Sequence, residues 1–292
     1  LALSRCTLMD PKRFKEMFNT HQMPGIDLSL QDIPLKAQDM AGKMSISGMQ
    51  PKLSLKLDKQ RVELVVAPTG GEYILKPQIQ QFPHTPENEN CCMDIAGALE
   101  IEVPPHCLLS LKDGSPAYLI KRFDRRGEEK IHQEDFYQIL EKKGKYSGSL
   151  EQIGKKLKEI SAVPGLDVQL FFERVVFNFL IGNGDAHFKN YSISYHKEGI
   201  RLSPAYDIVC SKLVIPNEED SALALNGKKN RLARKDFDVF AESLKIPEKV
   251  RYEKFVGKTE EIKQFIKDSR LPEDFKKRFV EIVLSRYDRL KI

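Results

Sequence analysis

The sequence predicts an α+β protein of two lobes, strand-rich first and helical second. Three observations carry that expectation. Apolar and polar residues alternate at period two in "LSLKLD" (53–58), "RVELVVA" (61–67) and "GEYILKP" (71–77), the spacing of half-buried strands. After "KRFDRR" (121–126) the spacing turns helical. The segment "VQLFFERVVFNFLIG" (168–182) is apolar nearly all round, as a buried central helix should be. The change near "KRFDRR" sets the lobes at 1–122 and 123–292.

The elements follow in order. The first three strands are separated by turn chemistry such as Pro68-Thr69-Gly70-Gly71. "TPENENCCMDIAGALEIEVPP" reads as a helix: Thr85 can cap, Pro86 suits the first turn, and Cys92, Ile95, Ala96 and Leu99 recur at helical spacing. Pro104-Pro105 ends it. "HCLLSL" and "PAYLIKRF" are two more strands, joined by a turn at Asp113-Gly114. Beyond Asp124, helices are expected over 133–143, 149–161 and 167–181, with basic amphipathic ones from 235 to the end.

A chain of 292 residues can bury a substantial core. Its formal charge of +5 is mild and dispersed; it suits an acidic ligand or solubility and does not by itself imply nucleic acid. The five cysteines lack the paired spacing of a zinc site, and reduced thiols are expected. The opening "LALSRC" has no basic leader, and no run approaches the roughly 18–20 apolar residues that span a bilayer. The expected compartment is the cytoplasm, with no membrane partner.

The segment "IGNGDAHFKNYSISYHKEGIRLSPAYDIV" (181–209) carries the most chemistry. A buried helix ends at Gly182, and a polar loop supplies Asp185 and, five residues on, Asn190. A short alternating strand, a turn at Gly199 and a second strand then deliver Asp207. Two carboxylates and an amide at one end of a hairpin offer the hard oxygen ligands that suit Mg²⁺. Phosphoryl transfer needs such a set, one aspartate for the hydroxyl nucleophile and an Asn–Asp pair for the metal. The D-x-x-x-x-N spacing is that of the protein-kinase catalytic loop. The plainer reading is that Asp185 and Asn190 cap local turns.

The first lobe adds candidates. Lys76 ends an apolar strand, where a lysine is expensive to bury without an anionic partner. Glu89 lies one turn before Cys92 on the core-facing side of the next helix, and a strand lysine paired with a helix glutamate is the kinase phosphate grip. A strand-end lysine that reaches solvent is the alternative. "AYLIKRF" would be the hinge, with backbone groups of Lys121 and Phe123 facing adenine; for Phe123 the alternative is core packing.

The set "SISGMQPKL", "YILKP", "ENE…MDIAGALEIEVPP", "LIKRFDRR", "HQEDFYQ", "IGNGDAHFKNYSI" and "LSPAYDIV" resembles the HipA family of bacterial serine/threonine kinases, the persistence toxins. The motifs run in family order from about residue 45 to 210. The resemblance implies a bilobal protein-kinase-like fold and dependence on ATP and Mg²⁺. It makes Asp185 the base, Asn190 and Asp207 the metal ligands, and Lys76 the phosphate clamp. His187, Lys189 and Gln133 fall inside matching motifs; His187 contacts nucleotide or orders the loop, and Gln133, expected on a helix, is structural or near the nucleotide. The phosphate loop begins near residue 45, which leaves no room for the family's small N-terminal domain, as in the short relatives called HipT. The resemblance then implies a separate small-domain protein, a separate DNA-binding antitoxin, and an aminoacyl-tRNA synthetase as protein substrate.

In "MSISGMQPKL" (44–53), Ser45 and Ser47, if extended, face the same side. Beside the other motifs this loop is the expected flap over ATP, with Ser47 and Gly48 near phosphate and Ser45 and Ser47 as autophosphorylation sites. Two rival classes stand beside this reading. A small-molecule kinase of aminoglycoside or choline type shares the D-x-x-x-x-N loop but lacks the "SISGMQPKL" and "HQED" blocks. A catalytically idle binding module would use the basic stretch "LNGKKNRLARKDF" (225–237); basic runs are usually solvated faces, so no direct nucleic-acid binding is expected.

Overall fold

The structure is a computed structural model that describes residues 11–39, 51–127 and 129–292. The chain divides into two compact units, residues 1–90 with 104–129 and residues 91–103 with 130–292. In the first, α1 (Pro11–Phe18) and α2 (Asp32–Asp39) precede β1 (Leu53–Asp58), β2 (Glu63–Val66) and β3 (Tyr73–Pro77). Helix α3 (Thr85–Ala98) begins in this unit and ends in the second, and β4 (His106–Ser110) and β5 (Pro116–Lys121) belong to the first again. The five strands form one antiparallel sheet in the order β2-β1-β3-β5-β4.

Period-two patterning decides this sheet's faces. Leu53, Leu55 and Leu57 share one face with Tyr73, Leu75, Cys107, Leu109, Ala117 and Leu119, and all are buried with Met17, Phe18 and Ile33 from the two helices. Each large apolar side chain taken out of water there contributes about 1.5–3 kcal/mol. Register pairs Leu75 with Leu119 and, on the opposite face, Lys76 with Tyr118. The alternation that builds the core thus leaves Lys76 on the other side of the sheet.

The short strands β6 (Arg125–Arg126) and β7 (Glu129–Lys130) lead on to β8 (Gln133–Asp135). Next come α4 (Phe136–Ile139), α5 (Leu150–Ile160), α6 (Pro164–Leu180), β9 (Ser192–His196) and β10 (Gly199–Leu202). The chain finishes with α7 (Arg234–Leu244), α8 (Thr259–Asp268) and α9 (Glu273–Leu290). Helix α6 is the central helix, with Phe171, Phe172, Val176 and Phe177 fully buried. Phe171 meets Tyr191 edge-on at 5.2 Å and Phe179 lies 5.0 Å from Phe237, both as ring centroids, spacings aromatic pairs prefer. Pro164 at the first helical position starts α6 three residues earlier than expected.

The helix expected over 133–143 is a correction. Gln133–Asp135 is instead the third strand of a sheet ordered β10-β9-β8, in register Gln133↔Ser194 and Asp135↔Ser192. Asp135 then caps a helix of four residues by accepting from the Gln138 N–H at 2.9 Å. Pairing with β9 outweighs a weak local helix propensity, as tertiary context commonly does.

Candidate active site

Three local devices position the segment after α6. Asn183 donates to Asn178 Oδ1 at 2.9 Å, and Asn178 donates to the Tyr191 hydroxyl at 3.1 Å, which ties the loop to the helix it leaves. The Gly184 N–H donates to Ser211 Oγ at 2.8 Å. Phe188, fully buried, anchors a single turn of 3₁₀ helix over Phe188–Asn190. The hairpin that follows is held by Asp167, a buried carboxylate that accepts from Arg201 Nη2 at 3.0 Å and from the Leu202 N–H at 3.0 Å. A buried charge persists only when paired in this way.

Asp185 emerges from the loop exposed to solvent, and the Tyr146 hydroxyl donates to its Oδ1 at 2.7 Å. Asn190 Oδ1 accepts from the His187 N–H at 2.9 Å, while Asn190 Nδ2 donates to Asp207 Oδ2 at 2.9 Å. Asp207 has a left-handed backbone, φ 60°, which aspartate tolerates better than most residues. His187 is buried, and burial lowers its pKa against the opposing pull of Asp185. Its Nδ1 has no hydrogen-bond partner among the described residues. Glu218 accepts from the Ser211 hydroxyl and is pushed up in pKa, first by burial and then by Asp185.

In the other unit, Lys76 is buried and its Nζ donates to Glu89 Oε1 at 2.5 Å. The same ammonium lies 5.6 Å from the centre of the Tyr118 ring, within cation–π reach. Lys121 closes β5 with its N–H donating to Pro105 O at 2.8 Å and its Nζ to Glu16 O at 2.6 Å. The sheet therefore takes that amide, one backbone donor fewer for adenine than expected. Phe123 is half-buried. Gln133 Nε2 donates to Ser192 Oγ at 2.8 Å, a structural use of the side chain. Ser45, Ser47 and Gly48 lie outside the described residues.

Asp207 sets a carboxylate beside Asn190, whose Nδ2 faces it and whose Oδ1, bonded to the His187 N–H, keeps one lone pair. Among the described residues no group of three or more His, Cys, Asp or Glu could hold a metal. A carboxylate and an amide oxygen are hard donors, and so small a set suits a cation that keeps water and phosphate in most of its shell, as Mg²⁺ does. The donor chemistry fits the ion that the motifs imply.

The sequence model of the HipA-like C-terminal domain matches residues 44–270. The chain belongs to the HipA-like C-terminal domain family. A Haemophilus influenzae protein named "Putative kinase" is 30% identical over 305 residues, covering 92% of this chain and 87% of that one. A Sinorhizobium fredii protein named "Putative kinase Y4mE" is 34% identical over 216 residues, 70% of this chain and 51% of its own length. The chain thus spans about half of the latter. The solved Shewanella oneidensis HipA, from a complex of HipA, HipB and operator DNA, superposes with a TM-score of 0.68 at 24% identity, covering 84% of this chain and 65% of that one. That likeness is one of fold, and the fold is the α+β HipA-like kinase fold. No described helix is long and apolar enough to cross a membrane.

The sequence carries no signal for Tyr146, Glu218 or Ser211. Tyr146 follows "EKKGK" in a polar turn, and Ser211 and Glu218 lie beyond the last recognisable motif. Nothing in their spacing points at Asp185, because only tertiary packing brings them there.

Proposed function

We propose that this chain is an ATP-dependent protein serine/threonine kinase and the toxin of a bacterial toxin–antitoxin pair. The contact of Asn190 with Asp207 across the hairpin that follows the Asp185 loop, in a chain of the HipA-like family, is the observation that carries this reading. In it, Asp185 orients the acceptor hydroxyl and takes its proton as the hydroxyl oxygen bonds to the γ-phosphorus and the bond to ADP breaks. Lys76, steadied by Glu89, grips phosphate, and Lys121, Phe123 and His187 belong to the nucleotide side. Asn190 and Asp207 would hold Mg²⁺, which when bound neutralises charge on the phosphates. The lobes are residues 1–122 and 123–292.

The finer reading follows the HipT-like form of the serine loop. The protein substrate is an aminoacyl-tRNA synthetase, a separate small-domain protein and a DNA-binding antitoxin are the partners, and the compartment is the cytoplasm. Autophosphorylation falls on Ser45, Ser47 or both, and the added charge of about −1.5 to −2 lowers activity by repelling ATP phosphates. Incubation with Mg·ATP followed by mass spectrometry should find phosphate on the chain and on a lysate protein. The Asp185→Asn variant should fold and transfer none. Transfer at the normal rate by that variant would remove the role given to Asp185. Phosphate on choline or an aminoglycoside, and on no protein, would replace the whole reading.

A further inference from the structure

Among the described residues, the side chain that hydrogen-bonds to the Asp185 carboxylate is that of Tyr146. We infer that Tyr146 is a positioning residue for the acceptor side of the site, its hydroxyl holding Asp185 by Oδ1 and leaving the other carboxylate oxygen to the hydroxyl that receives phosphate. The inference rests on the kinase reading above and adds a residue to it.

The hydroxyl of Tyr146 has two geometric interpretations. It could stand in the acceptor's place as a plug, or it could be a fixed part of the site. Its surroundings favour the second. The Tyr146 carbonyl accepts from Lys229 Nζ at 3.1 Å, and the preceding carbonyl, that of Lys145, accepts from the Phe188 N–H at 3.3 Å. The Ser147 N–H closes a turn on Gly144 O at 3.1 Å. The ring stands edge-on to His187 at 5.3 Å, and Lys145 Nζ lies 4.6 Å from its centre. The backbone is therefore tied to the catalytic loop itself, two residues before its Asn190, and the ring is held between a buried histidine and a cation. A plug that must leave for every turnover would break both ring contacts.

The chemistry agrees with the geometry. Burial first, and Asp185 second, push the ionisation of Tyr146 upward, so at neutral pH the phenol is a neutral donor to the carboxylate. A donor on one oxygen fixes the carboxylate's rotation, which an exposed aspartate would not otherwise have. Held groups convert an approximate encounter into a near-attack geometry. A hydrogen bond to a charged group contributes about 1.5–3 kcal/mol, which sets the expected effect at roughly 10- to 100-fold in rate.

The test compares Tyr146→Phe with Tyr146→Ala, using γ-labelled ATP and two acceptors, the chain itself and dephosphorylated casein. The Phe variant keeps the ring on His187 and loses only the hydroxyl. The expected result is a kcat lower by roughly 10- to 100-fold in both variants, with KM for ATP within about twofold of wild type. A ring that matters only for packing would leave the Phe variant at the wild-type rate, and that result overturns the inference. A Phe variant faster than wild type also overturns it, by showing that the hydroxyl stands in the acceptor's way. Wild-type protein that moves phosphate to neither acceptor tells instead against the kinase reading, and the role of Tyr146 goes with it.

Discussion

The side chain of Asn190 joins two elements that the chain separates by a hairpin. Its Oδ1 accepts from the His187 N–H and its Nδ2 donates to Asp207 Oδ2, both at 2.9 Å. One amide thereby shapes the loop that carries Asp185 and holds the Asp207 carboxylate beside it. Asn190→Asp keeps the acceptor and replaces the donor with a like charge facing Asp207. The loss should be about 1–3 kcal/mol of stability, the cost of exchanging a hydrogen bond to a charged group for a like charge. A divalent cation placed between two carboxylates would offset that repulsion. Magnesium should therefore raise the Tm of this variant by more than it raises that of wild type. Equal shifts in a thermal melt would show that the pair does not meet the metal.

Lys76 and Glu89 form an ion pair with side chains only 6% and 2% exposed. Removing one partner leaves the other charge buried, a loss of about 3–5 kcal/mol, whereas replacing both with apolar groups is often nearly neutral. Lys76→Met alone should show a large drop in urea midpoint. Lys76→Met with Glu89→Leu should recover most of it while nucleotide binding stays lost. A double variant as unstable as the single one would mean that the loss does not come from the Glu89 charge left behind.

The fold was legible where one physical signal dominated. Leucines at period two, 53, 55 and 57, marked a strand and its buried face, and apolar residues all round marked α6. "HQED" misled because Gln133 to Asp135 pair with β9, and a three-residue strand leaves almost no periodicity to read. In the candidate site, Asp185, Asn190 and Asp207 can be proposed from the sequence because their spacing along the chain is itself the signal. Lys76 and Glu89 were visible because a lysine ending a buried strand needs an anion. Tyr146 and Glu218 were invisible for the opposite reason: their relation to Asp185 is made wholly by packing, across 39 residues in the case of Tyr146.

Glu218 yields a prediction with a definite sign. Burial raises its pKa above the ordinary carboxylate value, and Asp185 adds to the shift. The folded protein therefore holds the Glu218 proton more tightly than the unfolded chain does. Its contribution to stability is fully present below the unfolded pKa of about 4.3 and is lost as pH rises through the folded value. Glu218→Gln keeps an acceptor for the Ser211 hydroxyl and removes the charge. The variant should melt above wild type at pH 7, with the difference shrinking toward zero below about pH 4. A variant less stable than wild type at pH 7 would show instead that the ionised carboxylate is favoured in place.

Gly184 precedes Asp185 directly, and its need for glycine comes from close approach rather than from a left-handed backbone. A Cβ there would lie 2.5 Å from Glu219 O and would also press on Glu218 Oε2. The carboxylate could swing aside, but a backbone carbonyl has no such freedom. The Gly184 N–H also donates to Ser211 Oγ, so any shift of the residue disturbs the bond that seats the loop. Gly184→Ala should cost about 1–3 kcal/mol as an overpacking change. It should also lower phosphate transfer, because the displaced backbone is the one that carries Asp185. Gly165 is the matched control: it lies in the first turn of α6, and a Cβ there meets nothing within 4 Å. Gly165→Ala should be neutral or stabilising by about 0.5 kcal/mol, from reduced freedom of the unfolded chain. Urea unfolding of the two variants, with a transfer assay on each, separates the effects. If Gly184→Ala matched Gly165→Ala in both measurements, the loop would have slack that these contacts do not show.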